Sequence, residues 1–372
     1  MAIGSRFEIL RMTQAALQFT SPMLVLGIET SCDETSVAVI TDRGEVLSNL
    51  IASQIDRHQP FGGVVPEVAS REHLIHFAPV LEESLRKAEI GLPDIGAIAV
   101  TSRPGLIGAL LVGVAAAQGL SYGLGIPIVG VNHLEGHIFS PYLQRTGESI
   151  LLPQRFLSLV VSGGHSSIYD VYGGADPKIE MLNRTRDDAA GEVFDKVAKF
   201  IGLPYPGGPH VERVARTGDP TRFPFPLARF KIESTDFSFS GLKAMAIRTA
   251  REAPLITPPG QDVDEGRLSD FCAGFQLAVV DQIEDRLTRI WSQMTSAPDP
   301  LPTELALGGG VAANTSLRER VAKWSAERNL TVRLPERIYC TDNGAMIAFA
   351  GLGRLRAGER DDPRRLIAQS RA

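Results

Sequence analysis

The chain has 372 residues, 44% of them apolar, a formal net charge of −5 and three cysteines, Cys32, Cys272 and Cys340. That length predicts two domains rather than one core. The acidic balance excludes a protein that coats nucleic acid by bulk electrostatics, so any such contact falls to a local patch or a partner. Three distant cysteines with no CxxC pair argue against a disulfide framework or a structural zinc site, and they fit a reducing compartment.

Residues 1–22 mix charges with scattered apolar positions and lack the continuous apolar core of a secretory signal, so they read as an N-terminal extension or a mis-called start before Met23. The apolar run 24–28 predicts a buried strand, 37–40 a second and 45–53 a third. Between the first two lies a turn rich in hydroxyls and carboxylates, Glu29 to Ser36, a composition suited to meeting a phosphate or a cation. Residues 66–88 carry helical periodicity, 95–101 a strand, 106–123 a helix rich in small residues and 127–131 a strand. The most apolar segment, 105–124, is interrupted by repeated Gly and by Gln118, so no bilayer-spanning helix and a cytoplasmic location are expected.

The second half repeats this plan. Strands are expected at 156–161, 167–172 and 178–183, a helix at 186–200, a polar Pro-rich insert at 202–264 and a long helix at 268–294. A strand at 305–307, the tight loop Gly308-Gly309-Gly310, a helix at 311–327, a strand at 330–334 and a helix at 343–355 follow. Two βββαβα lobes make an α/β fold of the actin-like, sugar kinase and Hsp70-type ATPase pattern, in which the lobes enclose a nucleotide. The expected division is an N-terminal lobe at 23–150, a C-terminal lobe at 151–340 and a last segment, 341–372, that packs back on the first lobe.

Several side chains carry potential chemistry. His133 and His137 are four residues apart, which on a helix places both on one face. Such a pair grips a divalent metal with positions left open, or it is two ordinary histidines on a half-buried helix. Asp342 precedes the last helix, where it would cap it or complete a two-histidine, one-carboxylate ligand set. Ser162-Gly163-Gly164 ends a strand, Gly207-Gly208 lies within the insert, and Gly308 to Gly310 lies between a strand and a helix. Each is a plain turn taken alone; together they favour a nucleotide site with backbone N–H groups facing the phosphate. No GxxxxGK[ST] motif is present, which excludes a P-loop enzyme. Asp187, Asp188, Glu192 and Asp195 are expected along one helix, with Asp195 at the core boundary and able to hold ribose hydroxyls. In the insert, Arg213, Arg216, Arg222, Arg229 and Lys231 alternate with Phe223, Phe225 and Phe230, either a single-stranded RNA contact or a solvated loop with buried aromatics.

One set of ordered motifs resembles a known family. Gly27-Ile-Glu-Thr-Ser-Cys-Asp-Glu-Thr35, Gly62-Gly-Val-Val-Pro-Glu-Val-Ala-Ser-Arg71, His133-Leu-Glu-Gly-His137, Val160-Val-Ser-Gly-Gly-His165 and Asp187-Asp-Ala-Ala-Gly-Glu-Val-Phe-Asp-Lys196 begin it. Tyr205-Pro-Gly-Gly-Pro209, Phe237-Ser-Phe-Ser-Gly-Leu-Lys243, Gly308-Gly-Gly-Val-Ala-Ala-Asn314 and Thr341-Asp-Asn-Gly-Ala-Met346 complete it. From about Met23 to the final helix the chain resembles the TsaD family, the catalytic subunits of tRNA threonylcarbamoyltransferase, once described as glycoproteases.

The resemblance implies transfer of threonylcarbamoyl from L-threonylcarbamoyl-adenylate to N6 of adenosine 37 in tRNAs reading ANN codons, with release of AMP. It implies a metal on His133, His137 and Asp342, iron(II) before Zn(2+) or Mg(2+). It places the adenylate on Val160, Val161, Ser162, Gly163, Gly164, Asp195, Gly208, Glu212 and Asn314. It also implies tRNA, a non-catalytic paralogue of TsaB type and a P-loop ATPase of TsaE type as partners, with no membrane. Arg103 stands where the family usually has Gly, and the extension 1–22 has no counterpart. A metalloprotease is disfavoured because Glu135 sits two residues from each histidine, off their shared face. A kinase or regulatory ATPase of the same fold would leave both histidines idle.

Overall fold

The computed structural model describes residues 23–143, 152–174, 177–227, 234–253, 255 and 264–371. The extension 1–22 and three residues of the insert, Arg229, Phe230 and Lys231, lie outside the described residues. Short apolar runs rich in β-branched residues build β1 (Leu24–Glu29), β2 (Glu34–Thr41) and β3 (Val46–Ser53) into an antiparallel meander. After α1 (Ile55–His58) and α2 (Pro66–Lys87), β4 (Ile95–Arg103) pairs parallel to β1. Then α3 (Ile107–Leu124) returns the chain to β5 (Ile128–Asn132), parallel to β4, and α4 (His133–Phe139) follows directly. The sheet order is β3-β2-β1-β4-β5.

The second sheet retraces that path. β6 (Arg155–Val161), β7 (Ser166–Tyr172) and β8 (Lys178–Arg184) form the meander; β9 (Glu304–Gly308) and β10 (Thr331–Arg333) add in parallel, giving β10-β9-β6-β7-β8. Between them come α5 (Ala190–Phe200), α6 (Gly207–Ala215), α7 (Ser240–Glu252) and α8 (Glu265–Thr295), with α9 (Thr315–Ala326) and α10 (Gly344–Arg356) later. This is the duplicated α/β architecture expected from the order of elements.

Packing shows why the two sheets act together. One face of the first sheet buries Leu26, Ile28, Val37 and Val39 against α2 and α3. Its other face shares a core with the second sheet, where Val25, Ala97 and Val131 join Phe156, Val160 and Ala306. A third core, around Phe194, Phe271 and Phe275, belongs to the second lobe. α10 lies on the first sheet: a Cβ at Gly27 would stand 2.1 Å from the carbonyl oxygen of Gly344, and Gly344 N donates to Ser36 Oγ at 2.8 Å.

Four local readings are corrected. α5 begins at Ala190, so Asp187 and Asp188 precede it. Asp187 instead accepts from Phe239 N at 2.8 Å and Asp188 binds Lys196 and Lys243, so tertiary partners outbid the helix. The helix expected at 311–327 splits, because Asn314 Oδ1 caps Leu317 N at 3.0 Å and restarts it after a 3-10 turn. The insert 202–264 contains α6 and α7, which bury Val211, Ala215, Leu242 and Ala246 on their inner faces. Finally, α3 does have the length and composition of a membrane span, although Ala109, Leu110, Gly113, Val114 and Ala117 are packed inside the first lobe.

Candidate metal centre and adjoining glycine loops

β5 delivers the chain to α4, whose first residue is His133. Asn132 Oδ1 accepts from Leu134 N at 2.9 Å and starts the helix there, so His133 and His137 stand one turn apart. Their rings meet edge to face with centroids 4.7 Å apart. Asp342, just before α10, closes the group: its Oδ1 lies 3.1 Å from His137 Nε2 and 3.5 Å from His133 Nε2. One ligand atom from each of the three residues falls within 4.8 Å of the others, a set that could hold a metal ion.

The donor chemistry fits a divalent cation. His137 is fully buried; its Nδ1 has no hydrogen-bond partner among the described residues, and its Nε2 faces the Asp342 carboxylate at 3.1 Å. A buried imidazole that shares a carboxylate with a second imidazole calls for a cation between them. His133 has the complementary arrangement, with Nδ1 3.0 Å from Glu29 Oε2 and 3.2 Å from Ser31 Oγ. Glu29 is itself fixed by Thr101 Oγ1 at 2.6 Å and by Ser31 N. A carboxylate behind Nδ1 orients the ring and leaves Nε2 free for a metal.

Charge in this pocket is strongly redistributed. Burial works against a proton on His133, but the Asp342 and Glu29 carboxylates outweigh it and lift the pKa to about 9. Burial holds His137 below the usual imidazole value even though Asp342 favours its charged form. For Asp342 burial would raise the carboxyl; the two histidines instead hold it well below the carboxylate range. His165 faces the same pocket, and burial together with repulsion from His133 and His137 lowers it to about 4. Glu135 does not belong to the set. Burial raises its carboxyl, opposed by Arg354 and Arg103.

The glycine loops converge beside this centre. β6 ends at Val160 and Val161, and Ser162 to His165 forms a tight turn closed by Ser162 N to His165 O at 2.7 Å. A Cβ on Gly163 or Gly164 would meet nothing within 4 Å, so the turn's outer side is open. Gly191 at the start of α5 donates to Ser162 O at 3.1 Å. Gly309, at φ +91°, tucks under this turn: a Cβ there would be 2.3 Å from the Val161 carbonyl oxygen. Gly308 does the same to α4, with 2.2 Å to the His137 carbonyl oxygen.

The remaining expected residues are held by hydrogen bonds to neighbouring loops and helices. Asp195 Oδ1 accepts from Gly207 N at 2.6 Å, and Gly208 next to it has open space. Burial, with Asp33 adding to it, raises the Asp195 carboxyl to about 6. Glu212 Oε1 accepts from Thr315 N at 3.1 Å, and Asn314 Nδ2 donates to Gln276 at 2.8 Å. Across the cleft Tyr205 Oη donates to Asp33 Oδ2 at 3.2 Å, and Lys199 Nζ to Phe61 O at 2.8 Å. Sequence reasoning singled out the turn from Glu29 to Ser36 as a whole but not the separate contacts of Glu29, Ser31 and Asp33, and it missed His165 and Tyr205 as members of the site. The available signal was a carboxylate ending an otherwise apolar strand, Leu24 to Glu29.

Arg103 ends β4 opposite Asn132, with a register shift after Thr101, rather than opening the following turn. It thereby stands beside the start of the histidine helix.

Residues 45–349 match the family model of TsaD, tRNA N6-adenosine threonylcarbamoyltransferase. The tRNA N6-adenosine threonylcarbamoyltransferase of Desulfitobacterium hafniense is 49% identical over 327 residues, 88% of this chain and 91% of its own. That of Syntrophobacter fumaroxidans is 47% identical over 352 residues, covering 94% and 99%. Among solved structures, HypF of T. kodakarensis aligns with a TM-score of 0.57 at 14% identity, over 92% of this chain and 49% of that one, a likeness of fold. With a paired-histidine centre beside nucleotide-type loops, and relatives matched over nearly their full length, this chain belongs to the tRNA N6-adenosine threonylcarbamoyltransferase family and is an acyltransferase that acts on tRNA.

Proposed function

We propose that the donor is L-threonylcarbamoyl-adenylate and the acceptor N6 of adenosine 37 in tRNAs reading ANN codons. N6 bonds to the carbamoyl carbon, the bond from that carbon to the phosphate oxygen breaks, N6 gives up a proton and AMP leaves. A mixed anhydride is already activated, so the chain needs no nucleophile; it has to place two substrates and offset developing charge. The observation that carries this reading is the junction at Gly308 and Gly309, where one loop touches both the His137 backbone and the Val161 backbone. It joins the ligand set to the loop that would take the adenylate.

In this reading Val160, Val161, Ser162, Gly163 and Gly164 cradle the phosphate, while Asp195, Gly208, Glu212 and Asn314 line the nucleoside end. His133, His137 and Asp342 would hold one divalent ion, iron(II) before zinc or magnesium. That ion would supply Lewis acidity to the acyl group of the donor. Glu29 and Ser31 hold His133 in place for it. The anticodon loop is single-stranded, so exposing its adenosine costs little.

Partners follow from the surface and the chemistry. Leu74 and Leu111 are 69% and 54% exposed and, with Phe77, Ala78 and Val112, line an apolar groove between α2 and α3. A patch of this kind marks a protein contact, here for a paralogue of TsaB type, with a P-loop ATPase of TsaE type completing a cytoplasmic assembly.

The test is nucleoside mass spectrometry of tRNA incubated with the reconstituted assembly and synthetic donor, alongside metal analysis of anaerobically purified chain. The His133→Ala, His137→Ala double variant should bind no metal and give less than about 1% of the product. Full activity in that variant would overturn the metal reading.

A further inference from the structure

Residues 30–35 connect β1 to β2 at the cleft, and two helices hold them from behind. On the α3 side, Thr30 Oγ1 donates to Ala109 O at 2.9 Å and Leu106 N to Ser31 O at 2.8 Å. On the α2 side stands His73. Its Nε2 is 3.0 Å from Cys32 O and its Nδ1 2.7 Å from Thr35 Oγ1. A carbonyl only accepts, so Nε2 carries the proton; Nδ1 then accepts and the Thr35 hydroxyl donates.

His73 and Thr35 are both 0% exposed. Gln54 backs the imidazole, with Nε2 3.4 Å from Nδ1 and Oε1 3.1 Å from His58 Nε2. Burial holds the His73 ring below the usual imidazole value, in keeping with the neutral tautomer. An apolar side chain there would leave the Thr35 hydroxyl and the Cys32 carbonyl without this partner, a cost a packing role would not require. The cleft side of the same loop carries Ser31 on His133 and Asp33 on Tyr205.

We infer that His73 is a positioning residue for the transfer: by fixing the Cys32 carbonyl and the Thr35 hydroxyl it sets where Ser31 and Asp33 stand against the metal ligand and the opposite lobe. It neither gives nor takes a proton in the reaction. This rests on the cleft being the metal and donor site proposed above, and the experiment separates the two.

His73→Ala, His73→Gln, Thr35→Val and the His73→Ala, Thr35→Val double variant are assayed in the full assembly with tRNA and donor. His73→Ala and Thr35→Val should each lower kcat on the order of tenfold per metal-loaded chain, with KM for tRNA unchanged. The double variant should be no slower than either single one, and His73→Gln, which keeps a donor and an acceptor, should recover part of the rate. If His73→Ala does not fold, Thr35→Val against wild type carries the same comparison, since it keeps the side chain's shape. A lower Tm with kcat unaltered, or additive losses in the double variant, would overturn the inference. Wild-type chain that turns over without bound metal would refute the metal reading while leaving the ranking of these variants to stand.

Discussion

Gly308 and His137 are in backbone contact across the two lobes: a Cβ on Gly308 would lie 2.2 Å from the His137 carbonyl oxygen and 2.9 Å from its carbonyl carbon. Backbone cannot swing aside as a flexible side chain does, so Gly308→Ala forces α4 away from β9. The variant should lose about 2 kcal/mol or more of stability and bind metal less tightly. Thermal unfolding with and without added metal checks both; unchanged metal affinity would mean that α4 keeps its place by other contacts.

Glu29→Gln keeps the shape of the residue but turns an acceptor toward an amide. Three donors now converge on the carboxylate, from Ser31 N, Thr101 Oγ1 and His133 Nδ1. Metal affinity should fall by about 10- to 100-fold, read by competition with a chelator of known strength.

Asp195 titrates high, at about 6, because it is buried and faces Asp33. An acid whose folded value is raised keeps a proton that the unfolded chain has released, so its contribution to stability falls as pH rises from about 4 toward that value. Asp195→Asn should therefore raise Tm at pH 8, and the gain should shrink toward pH 4. The same change should weaken AMP binding by about tenfold, since a charged acceptor is replaced by a neutral one. Calorimetry at two pH values settles the first point and titration with AMP the second.

Tyr205→Phe removes the phenol that reaches from the second lobe to Asp33, a contact of 3.2 Å. A hydrogen bond to a charged group is worth about 1.5–3 kcal/mol. Nucleotide affinity should drop by about tenfold, because this bridge ties the second lobe to the β1–β2 turn. Equal affinity in the variant would show that Lys199 and its contact with Phe61 O suffice.

Much of this was legible in the chain because the sequence repeats one plan twice. Both meanders announce themselves by short apolar runs separated by polar turns, and β1 to β3 and β6 to β8 lie where those runs fall. The pairing of Asp342 with His133 and His137 came from residue types and family likeness, since more than two hundred positions separate them. What could not be read was set by tertiary competition. Asp187 looks like a helix residue until Phe239 N and Ser240 N claim its oxygens. Asn314 looks like one more position in a helix until its side chain restarts the turn. Glu29 is one strand-end acid among many, and only the fold brings His133 to it.

α2 has two faces with different audiences. At position 73 it touches the loop that borders the cleft, while at Leu74 and Phe77 it forms one wall of the exposed groove. The rod is continuous through both, from Pro66 to Lys87. The groove and the loop therefore share one helix, and His73 and Leu74 serve them from adjacent positions.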